Sequence, residues 1–375
     1  MAWKETSVVE QRLEFVVLAS RGGLSMAELC RRFGISRKSG YKWLERYDAQ
    51  RGQSSLADAS RRPRTSPLRS PSVLEEQVVQ VRQAHPAWGG RKIAHVLGRD
   101  QGVQVAPSTV TSILRRHGLI EAPASTAATP WQRFEHEAPN SLWQMDFKGH
   151  FAMHRGRCHP LTVIDDHSRY NLVLQACGNE QGATVQAALR DVFRRYGLPR
   201  CINTDNGQPW GDSGGRYLTA LGAWLVRLGI SVSHSTPLHP QTNGKDERFH
   251  RTLKAEVLLR SFADLGECQS AFDRWRPIYN QHRPHEALAM QTPVQRYRPS
   301  PVAYPEVLPE IEYGPQDKVR RVCKAGRISI FGKSVFISNA LHGLPVALRQ
   351  STESPDTLDV YFCHQRIKKL MLEDL

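Results

Sequence analysis

The sequence predicts a multidomain chain: N-terminal all-α helix-turn-helix modules, an α/β core, and a small β-barrel at the C-terminal end. Three observations predict it. Apolar residues recur at helical spacing to about residue 120 and alternate at strand spacing from Asn140 onward. Two stretches without periodicity, 51–71 and 121–139, read as linkers. A formal net charge of +15 over 375 residues implies a polyanionic partner, and nucleic acid is the commonest one. With 40% hydrophobic and 23% charged residues the chain is globular rather than disordered. No run approaches the roughly 18 apolar residues of a membrane span. The start, Met1-Ala-Trp-Lys-Glu, lacks a signal-peptide pattern, so a cytoplasmic location is expected, with no membrane partner. Seven scattered cysteines without a Cys-x-x-Cys pair argue against a disulfide framework and a structural zinc site.

Residues 1–50 are expected to hold three helices. Val9, Leu13, Val16 and Val17 give the first its apolar face. Ser25-Met-Ala-Glu opens the second as a capping box, and Gly34-Ile-Ser makes the turn into the third, Arg37 to about Tyr47. Helix, Gly-containing turn and basic helix form a helix-turn-helix pattern, although a helical hairpin with a basic surface fits the same residues. Arg37, Lys38, Tyr41, Lys42 and Arg46 are its candidate DNA contacts. Between Arg31 and Arg69 eleven Lys and Arg face three acids, Glu45, Asp48 and Asp58. The basic linker 51–71, with Arg61, Arg62 and Arg64, therefore reads as an arm for phosphates or a minor groove. Residues 72–120 repeat the theme as a second helix-turn-helix-like domain. Helices are expected at 72–84, at 91–97, and from Pro107 to His117-Gly118, with Arg115 and Arg116 in the last turn.

The core, 140–300, opens on a strand. Trp143, Met145, Phe147 and Phe151 alternate with Gln144, Asp146, Lys148 and His150, which places Asp146 mid-strand on the polar face. Asp165 and Asp166 sit between two further strands as turn residues. An amphipathic helix over 184–196 follows. Cys201-Ile-Asn-Thr is a strand that delivers Asp205 to an Asn-Gly turn, a common place for site residues in α/β proteins. Leu218, Leu221, Leu225 and Leu228 mark a helix, and Ile230-Ser-Val-Ser a last strand. The stretch His239-Pro-Gln-Thr-Asn-Gly-Lys-Asp-Glu-Arg-Phe-His-Arg-Thr-Leu-Lys254 then starts a helix that continues to about Arg260, with Asn243 as its cap. Phe249, Leu253 and Val257 form its apolar stripe, while Glu247, Arg251 and Lys254 share another face. Asp246 lies near the stripe and reads as a helix cap meeting the dipole. Glu247–Arg251 also fits an ordinary ion pair at i,i+4. Asp146, Asp205 and Glu247 come from separate elements, as a two-metal site requires.

Three strings make the pattern specific: Trp143-Gln-Met-Asp-Phe, Thr204-Asp-Asn-Gly, and the run from Pro240 to Lys254. They resemble the DDE integrase core of insertion-sequence transposases, related to retroviral integrases. Tyr279-Asn-Gln-His-Arg-Pro-His-Glu-Ala-Leu-Ala-Met-Gln-Thr-Pro, with Tyr297 after it, is similar to the end of that core. The resemblance implies a ribonuclease-H-like fold for 140–300. By position it puts the catalytic, metal-holding acids on Asp146, Asp205 and Glu247, with Mg²⁺ or Mn²⁺, two ions per site, and no covalent protein–DNA intermediate. It implies contacts to the element end by Arg251 and Lys254, with Gln241 and Asn243 of the same motif beside them. Double-stranded DNA, both element ends and target, is the implied partner, bound in the nucleoid by a homo-oligomeric synaptic complex. The 42 positions from Asp205 to Glu247 exceed the family's usual spacing, and the excess is assigned to a loop at Trp210–Arg216. Pro277 is expected to kink a helix running to Tyr279.

After Pro315 the chain alternates again. A hairpin over 327–337 and strands at 345–348 and 358–362 suggest a small β-barrel over 315–375, similar to this family's C-terminal domains. The function implied is a transposase/integrase that binds terminal repeats, hydrolyses a phosphodiester and transfers the strand to target DNA. The alternatives are a non-catalytic or domesticated DNA-binding regulator, and a simple nuclease using the same acids.

Overall fold

The computed structural model describes residues 7–60, 69–120, 135–211, 218–234 and 244–374. The chain divides into two compact units, Met1–Arg69 and Ser70–Leu375. Arg61, Arg62, Arg64, Gln241 and Asn243, most of the linker 121–139 and most of the Trp210–Arg216 loop lie outside the described residues.

In the first unit, α1 (Val8–Arg21), α2 (Met26–Arg32) and α3 (Arg37–Arg46) each start at a serine whose hydroxyl accepts a backbone N–H: Ser7 from Glu10, Ser25 from Glu28 and Ser36 from Ser39. Phe15, Val16, Leu29, Cys30, Trp43 and Leu56 form the core. Gly40 of α3 stands so close to α1 and α2 that an added Cβ would meet Cys30 Sγ at 2.7 Å. The helices cross there because that position has no side chain.

The second unit begins with α4 (Ser72–Ala84), α5 (Gly90–Gln101) and α6 (Pro107–Arg116), packed around Val78, Trp88, Ile93, Leu97, Val110 and Leu114. Helix α5 is longer than the expected 91–97 and ends at Gly102 in the left-handed region.

The core sheet is built from β1 (Trp143–Phe147), β2 (Phe151–Ala152), β3 (Arg157–Asp165), β4 (Asn171–Cys177), β5 (Cys201–Thr204) and β6 (Ser231–His234). β3 pairs antiparallel with β1, β2 and β4; β1, β5 and β6 run parallel. The order across the sheet is therefore β4-β3-β1-β5-β6, a mixed sheet of ribonuclease-H-like type. Helices α7 (Gly182–Tyr196) and α8 (Ala220–Arg227) belong with one face, burying Val185, Leu189, Phe193, Leu221 and Trp224 with Trp143, Met145, Leu161 and Val163. Helices α9 (Gly244–Glu256) and α10 (Leu265–Pro277) belong with the other, burying Phe249, Leu253, Phe272 and Trp275 with Ile164 and Leu174. The three layers follow from strand alternation: Asp146 pairs with Thr162, and both side chains lie on the α9 face. Helix α9 stops at Glu256, short of the expected Arg260. At Pro277 the helix passes into a π-helical turn, Ile278–His282. A short α11 (Pro293–Arg296) closes the core.

Beyond it lie β7 (Lys318–Arg321), β8 (Arg327–Ile330), β9 (Lys333–Phe336), β10 (Pro345–Gln350), β11 (Thr357–Phe362) and β12 (Gln365–Met371). They form an open four-stranded sheet, β12-β11-β10-β7, and a separate β8-β9 hairpin. The barrel suggested by the strand spacing is corrected here: among the described residues no sheet closes. Val322, Ile328, Val346, Val360 and Phe362 instead bury their apolar face with Ala223 and Val226 of α8. Helix α8 is apolar on both sides because it is packed from both sides.

Candidate active site

The register brings two of the expected acids together. Gln144 of β1 pairs with Asn203 of β5 in parallel, so Asp146 and Asp205, each two residues further on, leave adjacent strands at the same level and face. Asp205 is exposed just past β5, where one carboxylate oxygen accepts the Gly207 N–H at 3.0 Å. The first turn of α9 supplies Glu247, exposed beside them.

Burial and the charge of its neighbours both act on Asp146. Burial, then the charge of Asp205, with smaller contributions from Glu180 and Glu247, push its carboxyl up to about 7 against a stabilising Phe147 N–H. The Asp205 carboxyl is also raised, first by burial, with Glu180 adding to it while Gly207 N–H and His234 work against it. Glu180 is thus a fourth acid facing the site. It lies between β4 and α7, held at 2.8 Å from Nδ1 of His159. It was missed in the sequence, though its place after a strand's carboxyl end was a usable signal.

Asp246, expected as a helix cap, faces the sheet. It is completely buried, and Oγ1 of Thr162 lies 3.1 Å from each of its carboxylate oxygens. Burial, then Asp146, push its carboxyl well above the ordinary carboxylate range. His250, one turn later, puts Nε2 at 2.8 Å from the same hydroxyl, and burial followed by Lys148 lowers its pKa to about 3, so the ring is neutral. Ligand atoms of Asp146, Asp246 and His250 lie within 4.8 Å of one another.

Cations line the rim. Arg251 and Lys254 are exposed on α9. Lys148, two residues along from Asp146, is half-buried, and burial together with Lys254 lowers its pKa. Strand alternation had already put Lys148 on the Asp146 face. Asp166 is a turn residue as expected, whereas Asp165 is the last residue of β3, paired with Trp143. Asp165 accepts from Ser168 and Asn140, and Asp166 pairs with Lys245 and Gln144. On α3, Arg37, Lys38, Tyr41 and Lys42 are exposed and Arg46 partly so. Arg115 is exposed, whereas Arg116 is paired with the buried Glu75.

Comparison with known proteins identifies the domains. Residues 136–240 and 228–293 each match an integrase core domain. The chain belongs to the DDE integrase-core superfamily of insertion-sequence transposases. Residues 11–64 match a helix-turn-helix domain and 39–114 a homeodomain-like domain. This superfamily member is a DNA transposase/integrase, a DDE-type polynucleotidyl transferase with helix-turn-helix DNA-binding modules. It is 27% identical to an uncharacterized 39.2 kDa protein of insertion element IS476 from Xanthomonas euvesicatoria, covering 62% of this chain and 67% of that one. It is 25% identical to a 31.7 kDa protein of insertion element IS407 from Burkholderia multivorans, covering 59% and 79%. Among solved structures, the catalytic core domain of HTLV-2 integrase in complex with magnesium aligns with 42% of this chain and 96% of its own. The identity is 19% and the TM-score 0.30. Among the described residues no helix is long and apolar enough to cross a membrane.

The donor set fits a hard divalent cation. Among the described residues the group close enough to share one ion is Asp146, Asp246 and His250, while Asp205 and Glu247 act on the Asp146 carboxyl through their charge, after its burial.

Proposed function

We propose that Asp146, Asp205 and Glu247 hold two divalent ions, Mg²⁺ or Mn²⁺, and that the protein cleaves element ends and joins them to target DNA. The observation that supports this is geometric: Asp146 and Asp205 leave adjacent parallel strands at the same level, and the first turn of α9 brings Glu247 near enough for its charge to act on Asp146. When bound, such ions supply Lewis-acid activation of an attacking oxygen and stabilisation of the leaving oxygen in an in-line displacement. Water opens a phosphodiester and releases a 3′-hydroxyl. That hydroxyl then attacks a target phosphodiester, whose own 3′-oxygen leaves.

The chain's residues divide the remaining work. Arg251, Lys254 and Lys148 stand on the rim, where a DNA backbone approaching the acids meets them. Gln241 and Asn243 belong to the same motif and are assigned to the element end. The exposed row Arg37, Lys38, Tyr41, Lys42, with Arg46 behind it, suits major-groove and phosphate contacts at the terminal repeats. Arg61, Arg62 and Arg64 are assigned to the basic arm, and Arg115 to the second module. Two ends must be held together for joining, so a homo-oligomer on DNA, acting at the nucleoid, is the working assembly. The strands after Pro315 read as an incomplete relative of the family's small barrel.

The test is strand transfer by Glu247→Gln on DNA carrying the element's ends in Mg²⁺, resolved on a denaturing gel. Loss of joined product with retained end binding is expected. Joining at the wild-type rate refutes the assignment, and cleavage without joining by the wild type refutes transposition.

A further inference from the structure

Helix α9 is fastened to the sheet at its first turn. The Asp246 N–H donates to Oε1 of Gln144 at 3.2 Å, and Nε2 of Gln144 donates to Oδ1 of Asp166 at 2.9 Å. The neighbouring Lys245 pairs with Asp166 as well. Deepest of these contacts is the Asp246 carboxyl. Thr162 Oγ1, 3.1 Å from both its oxygens, also lies 3.0 Å from the backbone carbonyl of Asp146 and 2.8 Å from Nε2 of His250. One hydroxyl therefore joins the peptide of Asp146, the first turn of α9 and the following turn. Asp246 and Thr162 are both 0% exposed, so water does not compete for these bonds.

Consecutive residues of a helix diverge by about 100°. Asp246 sinks into the sheet, and Glu247, next in the chain, emerges beside Asp146. The depth and rotation at which Asp246 docks fix where Glu247 points.

We propose that Asp246 is a positioning residue: by docking on Thr162 it sets the Glu247 carboxylate against Asp146, and the docking requires its hydrogen-bonding shape rather than its charge. This rests on the assignment of Glu247 to the metal site. A fully buried carboxyl with both oxygens on a threonine hydroxyl has no face open to the waters a divalent ion keeps. Asparagine satisfies the same contacts: its Oδ1 accepts from Thr162 and its Nδ2 faces Nε2 of His250, 3.4 Å from one carboxylate oxygen of Asp246.

The experiment compares full-length Asp246→Asn, Asp246→Ala, Thr162→Val and Glu247→Gln. The readouts are strand-transfer rate, Mn²⁺ binding to the DNA-free protein by electron paramagnetic resonance, and thermal unfolding. Asp246→Asn is expected to keep transfer within about threefold and to bind Mn²⁺ as the wild type does. Asp246→Ala and Thr162→Val are expected to lose at least tenfold in rate, at unchanged KM for DNA, and to weaken Mn²⁺ binding severalfold. If Asp246→Ala does not fold, Thr162→Val carries the comparison. Asp246→Asn as impaired as Glu247→Gln shows that the charge is needed and overturns the proposal. So does wild-type behaviour of Thr162→Val. Active Glu247→Gln removes the underlying assignment instead, and is read separately.

Discussion

Replacing Asp146 by Asn is expected to stabilise the metal-free protein, and to do so more as pH rises. The folded-state carboxyl titrates at about 7, against 3.8 in the ordinary case. Below 3.8 both states are protonated and the site costs nothing. Between the two values the folded state holds a proton that the unfolded state has released, so stability falls as pH rises and levels off above about 7. At about 1.4 kcal/mol per pH unit, the cost of ionising Asp146 grows from roughly 1.5 kcal/mol at pH 5 to roughly 4 kcal/mol at pH 8. Asn avoids that cost at both pH values. Its advantage over the wild type should therefore widen by about 2–3 kcal/mol, or roughly 4–6 °C in melting temperature for a unit of this size. The assay is thermal unfolding of both proteins in a chelator at pH 5 and pH 8, repeated with Mg²⁺. The cation should close the gap at pH 8 by stabilising the wild type selectively. A difference between the proteins that is the same at pH 5 and pH 8 refutes the account of a crowded, uncompensated carboxyl.

Three further outcomes test other parts of the molecule. Arg37→Ala and Lys42→Ala, both on the exposed face of α3, should weaken binding to element ends in a gel shift, each lowering the salt slope by about 1 if it contacts a phosphate. Phe249→Ala removes a ring that is 1% exposed and packs at 4.8 Å from Tyr279 and 5.6 Å from Trp275; denaturant unfolding should show a loss of about 3–5 kcal/mol. Glu75→Ala removes the buried partner of Arg116 and His117, both of which water can reach, and chemical denaturation should report a loss of about 1–3 kcal/mol in the second unit.

What was legible in the sequence was whatever repeats locally. Phe249, Leu253 and Val257 recur at helical spacing, and all three are buried. Trp143, Met145 and Phe147 alternate, which put Asp146 on the opposite face of β1 before any partner was known. The cap at Ser25 is a four-residue pattern of which one half is found: the Ser25 hydroxyl accepts the Glu28 N–H, while the Glu28 carboxylate pairs with Arg31 and Arg32. Strands β7 and β12 left little trace, because Lys-Val-Arg-Arg and Gln-Arg-Ile-Lys-Lys-Leu-Met are dominated by charge. For the same reason closure of a barrel was inferred from strand number, although number does not determine which edges pair. The partners of Arg116 and Asp246, Glu75 and Thr162, are 41 and 84 residues away, and local spacing carries no information about them.

The two neighbours in α9 show where that limit matters for function. A helical projection separates Asp246 from Glu247 correctly: one belongs near the apolar stripe and the other on the polar face. It assigns the inner acid to a cap because helix ends are the only polar neighbours a one-dimensional reading can supply. In the folded protein the inner acid meets a strand, a partner that no helical projection supplies. Thr162 is placed there by the β1–β3 register, which pairs it with Asp146. The register that presents Asp146 to the site thus also supplies the hydroxyl that anchors the helix bearing Glu247. A one-residue slip of β3 against β1 would turn Thr162 to the α7–α8 face and leave Asp246 buried without its donor. Sheet register and helix docking are therefore coupled, and the spacing between the acids follows from both.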